Sequence, residues 1–205
     1  VYLVTQEVDL FGDRISCPEN CSIRGFGTSI SRLKSTGLSG SPLITSTGTL
    51  HLNAIALEAD EAINLSGSAG DFVDWISVNF ENCTTVGTIE NFDNVIFIDC
   101  GLISSANLTF DGTIGTVGFG DCLLSGVAGE TTVIVPATAN ITRRFRARFC
   151  AFVTPATGTG VDFSASATIP DESYIYWECN FSGAGTHLAG VVHDDNQAKF
   201  SGNVG

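Results

Sequence analysis

Along most of the chain, apolar residues alternate with polar ones in short runs, and Gly, Asn, Asp and Thr break the runs. A period of two predicts many short β-strands joined by turns. One stretch departs from it. Ala54 to Ala62 (AIALEADEA) is the best helix candidate, although it is short and lies between Gly-, Ser- and Thr-rich segments.

The strands repeat. Five segments end in Cys: ISVNFENC (76–83), NVIFIDC (94–100), TVGFGDC (116–122), RRFRARFC (143–150) and SYIYWEC (173–179). Aligned on Cys, the column three residues earlier holds Phe80, Phe97, Phe119, Ala147 and Tyr176. The column five residues earlier holds Val78, Val95, Val117, Phe145 and Tyr174. Two residues after Cys stand Thr85, Leu102, Leu124, Phe152 and Phe181. LTFDG (108–112), VIVPA (133–137) and VDFSA (161–165) form a second series. Leu/Phe-Ser-Gly recurs at 38–40, 65–67, 124–126, 181–183 and 200–202. A repeat of ~20–30 residues made of strands and turns predicts a solenoid, in which stacked coils bury equivalent residues on one another. The competing arrangement is a β-sandwich. It needs a series of hairpin turns, and Asp111-Gly112 is the only dipeptide of the Asn-Gly or Asp-Gly type in the chain.

The opening segment contains Ile23-Arg-Gly-Phe-Gly27. With that entry motif and the coils that follow, over about residues 8–202, the chain resembles the right-handed parallel β-helix proteins of the pectate-lyase-like superfamily. Among these it is most similar in pattern to bacteriophage tailspikes, tail fibres and other virion proteins. The resemblance implies an all-β, single-stranded right-handed parallel β-helix. Residues 1–40 would form entry strands and a cap, and residues 41–205 the coils. It also implies a homotrimer.

Composition narrows the function. The 205 residues carry 22 Asp+Glu against 9 Lys+Arg, a formal charge of -13. That balance argues against nucleic acid, which is bound by neutralising phosphates. The chain is 43% hydrophobic, enough for a packed core, and no apolar run approaches the ~18 residues of a membrane span. It has no Met and no basic start before Glu7 and Asp9, so it reads as a piece of a longer protein without a signal peptide. Seven Cys, most of them one per repeat, read as small buried hydrophobes rather than metal ligands. Cys17 and Cys21 are close enough in sequence to bridge in an oxidising setting.

Four constellations are candidates for chemistry. Asn82, Asp99, Asp121, Phe149 and Glu178 precede the five Cys. Asp99 and Asp121 on adjacent coils are the catalytic candidates, since two close carboxylates can share a proton or bind calcium. The alternative, favoured here because Phe149 breaks the column, is that Asn and Asp serve the turn. Arg144, Arg146 and Arg148 alternate with Phe145, Ala147 and Phe149, so they share one outward face. That face suits an intersubunit contact, a solvated surface or an anionic glycan. Ile96, Ile98, Ile175 and Trp177 occupy the same face and predict an interface. His187 and His193-Asp194-Asp195-Asn196 read as polar loops. The six Asn-x-Ser/Thr sequons are no more than a Ser- and Thr-rich chain supplies by chance.

The expectation is therefore a non-enzymatic structural module of a virion, trimeric and assembled in the host cytoplasm. It would contact other virion proteins, with host cell-surface polysaccharide as a further candidate partner. No cofactor, metal, nucleic acid or membrane insertion is expected. The alternative is a polysaccharide depolymerase, a lyase or glycosidase, on the same scaffold.

Overall fold

The computed structural model describes residues 1–163 and 174–190, and for 174–177 and 190 the backbone alone. The chain is all β: parallel strands stack as a β-solenoid of about seven turns, with no helix among the described residues. Each regular coil crosses a long sheet twice, as in Asn94–Ile98 and Gly101–Ile103, and then a shorter sheet once, as in Leu108–Asp111. Every inter-strand pairing is to the equivalent strand of a neighbouring coil. Residues 1–40 contribute strands that pair the same way: Cys21–Arg24 lies beside Leu50–Glu58, and Ile15–Cys17 beside Ile44–Ser46.

Parallel stacking places like on like. One interior column runs Leu50, Val73, Val95, Val117, Phe145 and a second runs Leu52, Trp75, Phe97, Phe119, Ala147. A third runs Leu57, Phe80, Leu102, Leu124, Phe152, Phe181. All of these side chains are buried. Phe97 stacks on Phe119 with centroids 4.8 Å apart, and Phe152 on Phe181 at 4.6 Å, each pair within 10° of parallel. The shorter sheet contributes Ile63, Leu108, Val133 and Val161. Gly87 interrupts that last column because its φ is +120° and a Cβ there would lie 1.8 Å from the Ile63 carbonyl oxygen.

Three sequence expectations are corrected. The helix candidate 54–62 is divided between the strands Leu50–Glu58 and Glu61–Ser66. Ile55, Ala56, Leu57, Ala62 and Ile63 are all buried there, and the open strand edges of both neighbouring coils outweigh a weak helical preference. The first Cys repeat is out of register. Phe72–Glu81 is one continuous ten-residue strand, so Trp75, not Phe80, lies beside Phe97, and Val73, not Val78, beside Val95. Phe80 pairs with Leu102 instead. Cys83 falls outside the Cys ladder and donates its backbone N–H to Ser105 Oγ at 3.1 Å. Finally, Leu/Phe-Ser-Gly is not one structural position: Leu65 pairs in the shorter sheet, whereas Leu124 pairs in the long one. Its copy at 200–202 and Ser164–Ala165 lie outside the described residues.

Candidate functional site

The long sheet turns a corner between its two limbs, and one residue per coil makes the bend. These residues are Ala54, Ser77, Asp99, Asp121, Phe149 and Glu178, each with φ between 49° and 55°. The register on either side of the corner aligns them coil by coil. Left-handed backbone is tolerated by Asp and Asn and is costly for a bulky residue. The two catalytic candidates thus occupy positions that the backbone itself requires. Asp99 Oδ2 accepts the Ser77 hydroxyl at 2.7 Å from the preceding coil. Among the described residues no group of acidic, His or Cys side chains is arranged to hold a metal ion.

Immediately after the corner, Val78, Cys100, Cys122, Cys150 and Cys179 point inward, so four thiols form a ladder. Each of the first two has two carbonyl oxygens within reach of its one S–H, Cys100 those of Ile98 at 3.3 Å and Trp75 at 3.5 Å, and Cys122 those of Gly120 at 3.2 Å and Phe97 at 3.6 Å. Thiol-to-thiol hydrogen bonding to Cys100 pushes Cys122 up to about 12, and bonding to Cys122 pushes Cys150 up to about 12. Burial raises Cys83 to about 11 and Cys17 to about 12. All seven cysteines are buried and unbridged, Cys17 and Cys21 included.

The outward face of the first limb carries the predicted interface residues. Ile96 lies in register with Asp74, Gly118, Arg146 and Ile175. Ile98 lies in register with Ile76, Gly120, Arg148 and Trp177. Ile98 is 42% exposed, Ile96 is half-buried, and Arg144 and Arg148 are exposed. The side chains of Ile175 and Trp177, and all of 193–196, lie outside the described residues. His187 contacts Thr154 Oγ1 at 3.3 Å.

Two features escaped the sequence analysis. The apolar surface continues around the corner: Phe149 is 53% exposed, and Ile103, Leu123 and Val153 on the second limb are exposed beside it. A Phe in a column of Asp and Ser was the available signal. The coil Thr113–Gly120 has glycine at the outward positions 118 and 120, and Ile96 and Arg146 of the coils on either side lie over the buried Gly118. A cleft of about 390 Å³ lies at the start of this limb, lined by Asn94, Ile96, Thr116, Arg143, Arg144 and Arg146. Arg143 crosses Gly115 to donate to the Asp93 carbonyl, and any Cβ at 115 would collide with both groups. Elsewhere Arg32 bridges Glu58 and Glu81, and Lys34 pairs with Glu7. Among the described residues no carboxylate lies within ion-pair distance of Arg144, Arg146 or Arg148. Burial, then the guanidinium groups of Arg148 and Arg144, lower the Arg146 pKa below its ordinary value.

Fold and surface together define a parallel β-solenoid with a filled core and a partly apolar, partly cationic outer face on its long sheet. The chain matches no protein-family model and no curated protein.

Proposed function

We propose that this chain is a rigid, non-enzymatic structural module that docks against copies of itself along the corner of the long sheet. The assembly is a homotrimer within a virion surface appendage such as a tail spike or tail fibre. The supporting observation is the exposed apolar cluster of Ile98, Ile103, Leu123, Phe149 and Val153 on three successive coils. These side chains are between about a third and a half exposed, so a partner covering the remainder gains a corresponding part of the ~1.5–3 kcal/mol that complete burial of each is worth. Phe149 adds a second argument: a bulky residue held at φ 55° with its ring in solvent is strained without local return. Three-fold closure and the virion setting come from the resemblance to phage β-helix proteins. Seven unbridged thiols suit assembly in a reducing cytoplasm. Arg148, next to Phe149, borders the same contact, and an acidic chain offers it carboxylates from the neighbouring copy.

The second reading, a depolymerase acting on host polysaccharide, draws on Asp99 and Asp121 at equivalent corners of adjacent coils. The hydroxyl that Asp99 accepts and the left-handed backbone of both favour the structural role.

Light scattering of the purified chain is the test. The expected mass is three times that of the monomer, and Phe149→Asp is expected to return the monomer mass with the circular dichroism spectrum unchanged. A monomer at micromolar concentration in the parent chain overturns the proposal.

A further inference from the structure

The arginine cleft lies at the opposite end of the first limb from the apolar corner, and the trimer proposal does not use it. Its construction is specific. Along a strand, residues two apart are about 6.6 Å apart and face the same way, so Arg144 and Arg146 rise side by side from one edge. The neighbouring coil offers no side chain at Gly118, where a Cβ would come within 3.0 Å of Ile96 Cδ1 and 3.3 Å of Arg146 Nε. Ile96 and Arg146 therefore close over the buried Gly118, and the cleft beside them has Ile96 as an apolar wall on one side and guanidinium groups on the other. Asn94 and Thr116 add an amide and a hydroxyl at the near end. Like charges this close repel, and burial penalises Arg146 further. A chain with 22 acidic residues nevertheless keeps these cations together without a carboxylate of its own, among the described residues, to pair them.

We propose that this cleft binds a small polyanion: a compact ligand carrying two or more carboxylate or phosphate groups. Each guanidinium presents a planar fork of donors that matches an oxyanion with two parallel hydrogen bonds. Two forks on one edge engage two such groups, or both clasp one. Asn94 and Thr116 hydrogen-bond the ligand's hydroxyls, and Ile96 covers its carbon skeleton. Binding relieves the repulsion among Arg144, Arg146 and Arg148, so a dianion or trianion gains more than a monoanion of the same size. The site is complete within one chain and does not depend on the trimer.

Calorimetric titration of the intact chain with citrate, inorganic phosphate, acetate and glycerol tests this. Citrate is expected to bind at one site per chain, at least about tenfold tighter than acetate, with glycerol silent, and to weaken as NaCl rises through the screening range. The double variant R144Q/R146Q should lose at least about tenfold in citrate affinity, because both charge-assisted forks are gone. R144K/R146K, which keeps the charge but not the fork, should fall between. R14Q/R24Q removes the same charge far from the cleft and should bind as the parent does. Circular dichroism establishes that each variant is folded.

Equal weakening in R14Q/R24Q would reduce the effect to net charge and overturn the site. Citrate binding no tighter than acetate would overturn the polyanion. Silence toward citrate in the parent chain, combined with binding once the assembly is dissociated, would assign the cleft to a neighbouring copy and overturn it as well. A monomer that binds citrate leaves this inference standing and removes only the trimer; a trimer with no citrate site does the reverse.

Discussion

Phe97 belongs to the second interior column of the long sheet, between Trp75 and Phe119, fully buried and stacked on Phe119. Neighbouring coils are hydrogen-bonded above and below it, so they cannot collapse into the space its removal leaves. Phe97→Ala is expected to cost ~3–5 kcal/mol in chemical denaturation. The thiols make a different prediction. Cys122 and Cys150 are raised from 9.0 to about 12 by their ladder bonds, and Cys17 and Cys83 to about 12 and about 11 by burial. Because the folded values lie above the unfolded one, the unfolded chain releases its protons first as pH rises. The stability they contribute is complete below about pH 9 and is lost as pH climbs from there toward 12. Cys100, lowered by the bond from Cys122, opposes this with a single group. Unfolding midpoints measured from pH 7 to 11 should be flat to about 9 and then fall. A Cys122→Ala/Cys150→Ala variant should show a shallower fall.

At the scale of elements, the corner is what makes one coil cross the long sheet twice. Each coil has one left-handed residue there, and the inward residue that follows begins the second limb. Asp99→Asn and Asp121→Asn keep a side chain that suits this backbone, and in the first of them the new amide oxygen still accepts from the Ser77 hydroxyl. Each is expected to cost less than about 1 kcal/mol and to leave mass and spectrum unchanged. Loss of polysaccharide cleavage in either variant, with the fold intact, would move the depolymerase to first place. Part of this element was legible in the residues: Asp99 and Asp121 mark turns by chemistry, whereas Ala54, Ser77, Phe149 and Glu178 do not, and Asn82, which its Cys put in the same column, lies away from the corner that Ser77 makes. The register of Phe72–Glu81 was not. Cys83 gave it a plausible anchor, but unequal coils allow several alignments that all bury apolar residues. The choice fell to continuous backbone pairing with Asn94–Ile98 and to the fit of Trp75 against Phe97 at 5.0 Å.

At the scale of the whole molecule, the stack presents its long-sheet corner as the place where copies would meet. Phe149 joins two quantities that ordinarily vary apart. Replacing it with Asn removes a bulky side chain from left-handed backbone and should stabilise the isolated chain by ~1 kcal/mol. The same change removes the most exposed ring of the apolar cluster and should weaken self-association. Denaturation at low concentration and light scattering at high concentration are expected to move in opposite directions. If both rise together, Phe149 has no partner across an interface.

The sequence by itself determined the class of fold. Period two assigns each side chain to the inside or outside of its strand, and the recurrence of Phe, Val and Cys at similar spacing requires coils that stack like on like. It also placed Ile98, Arg144 and Arg148 outside, and the buried Phe, Val and Cys residues inside, without any coordinates. Tertiary structure alone decided which coil neighbours which residue. Periodicity is a property of one strand, whereas a ladder depends on the offset between two strands of unequal length. For that reason the Trp75 column, the meeting of Ile96 and Arg146 over Gly118 and the continuity of Ile98 with Phe149 and Leu123 appear only once the coils are stacked.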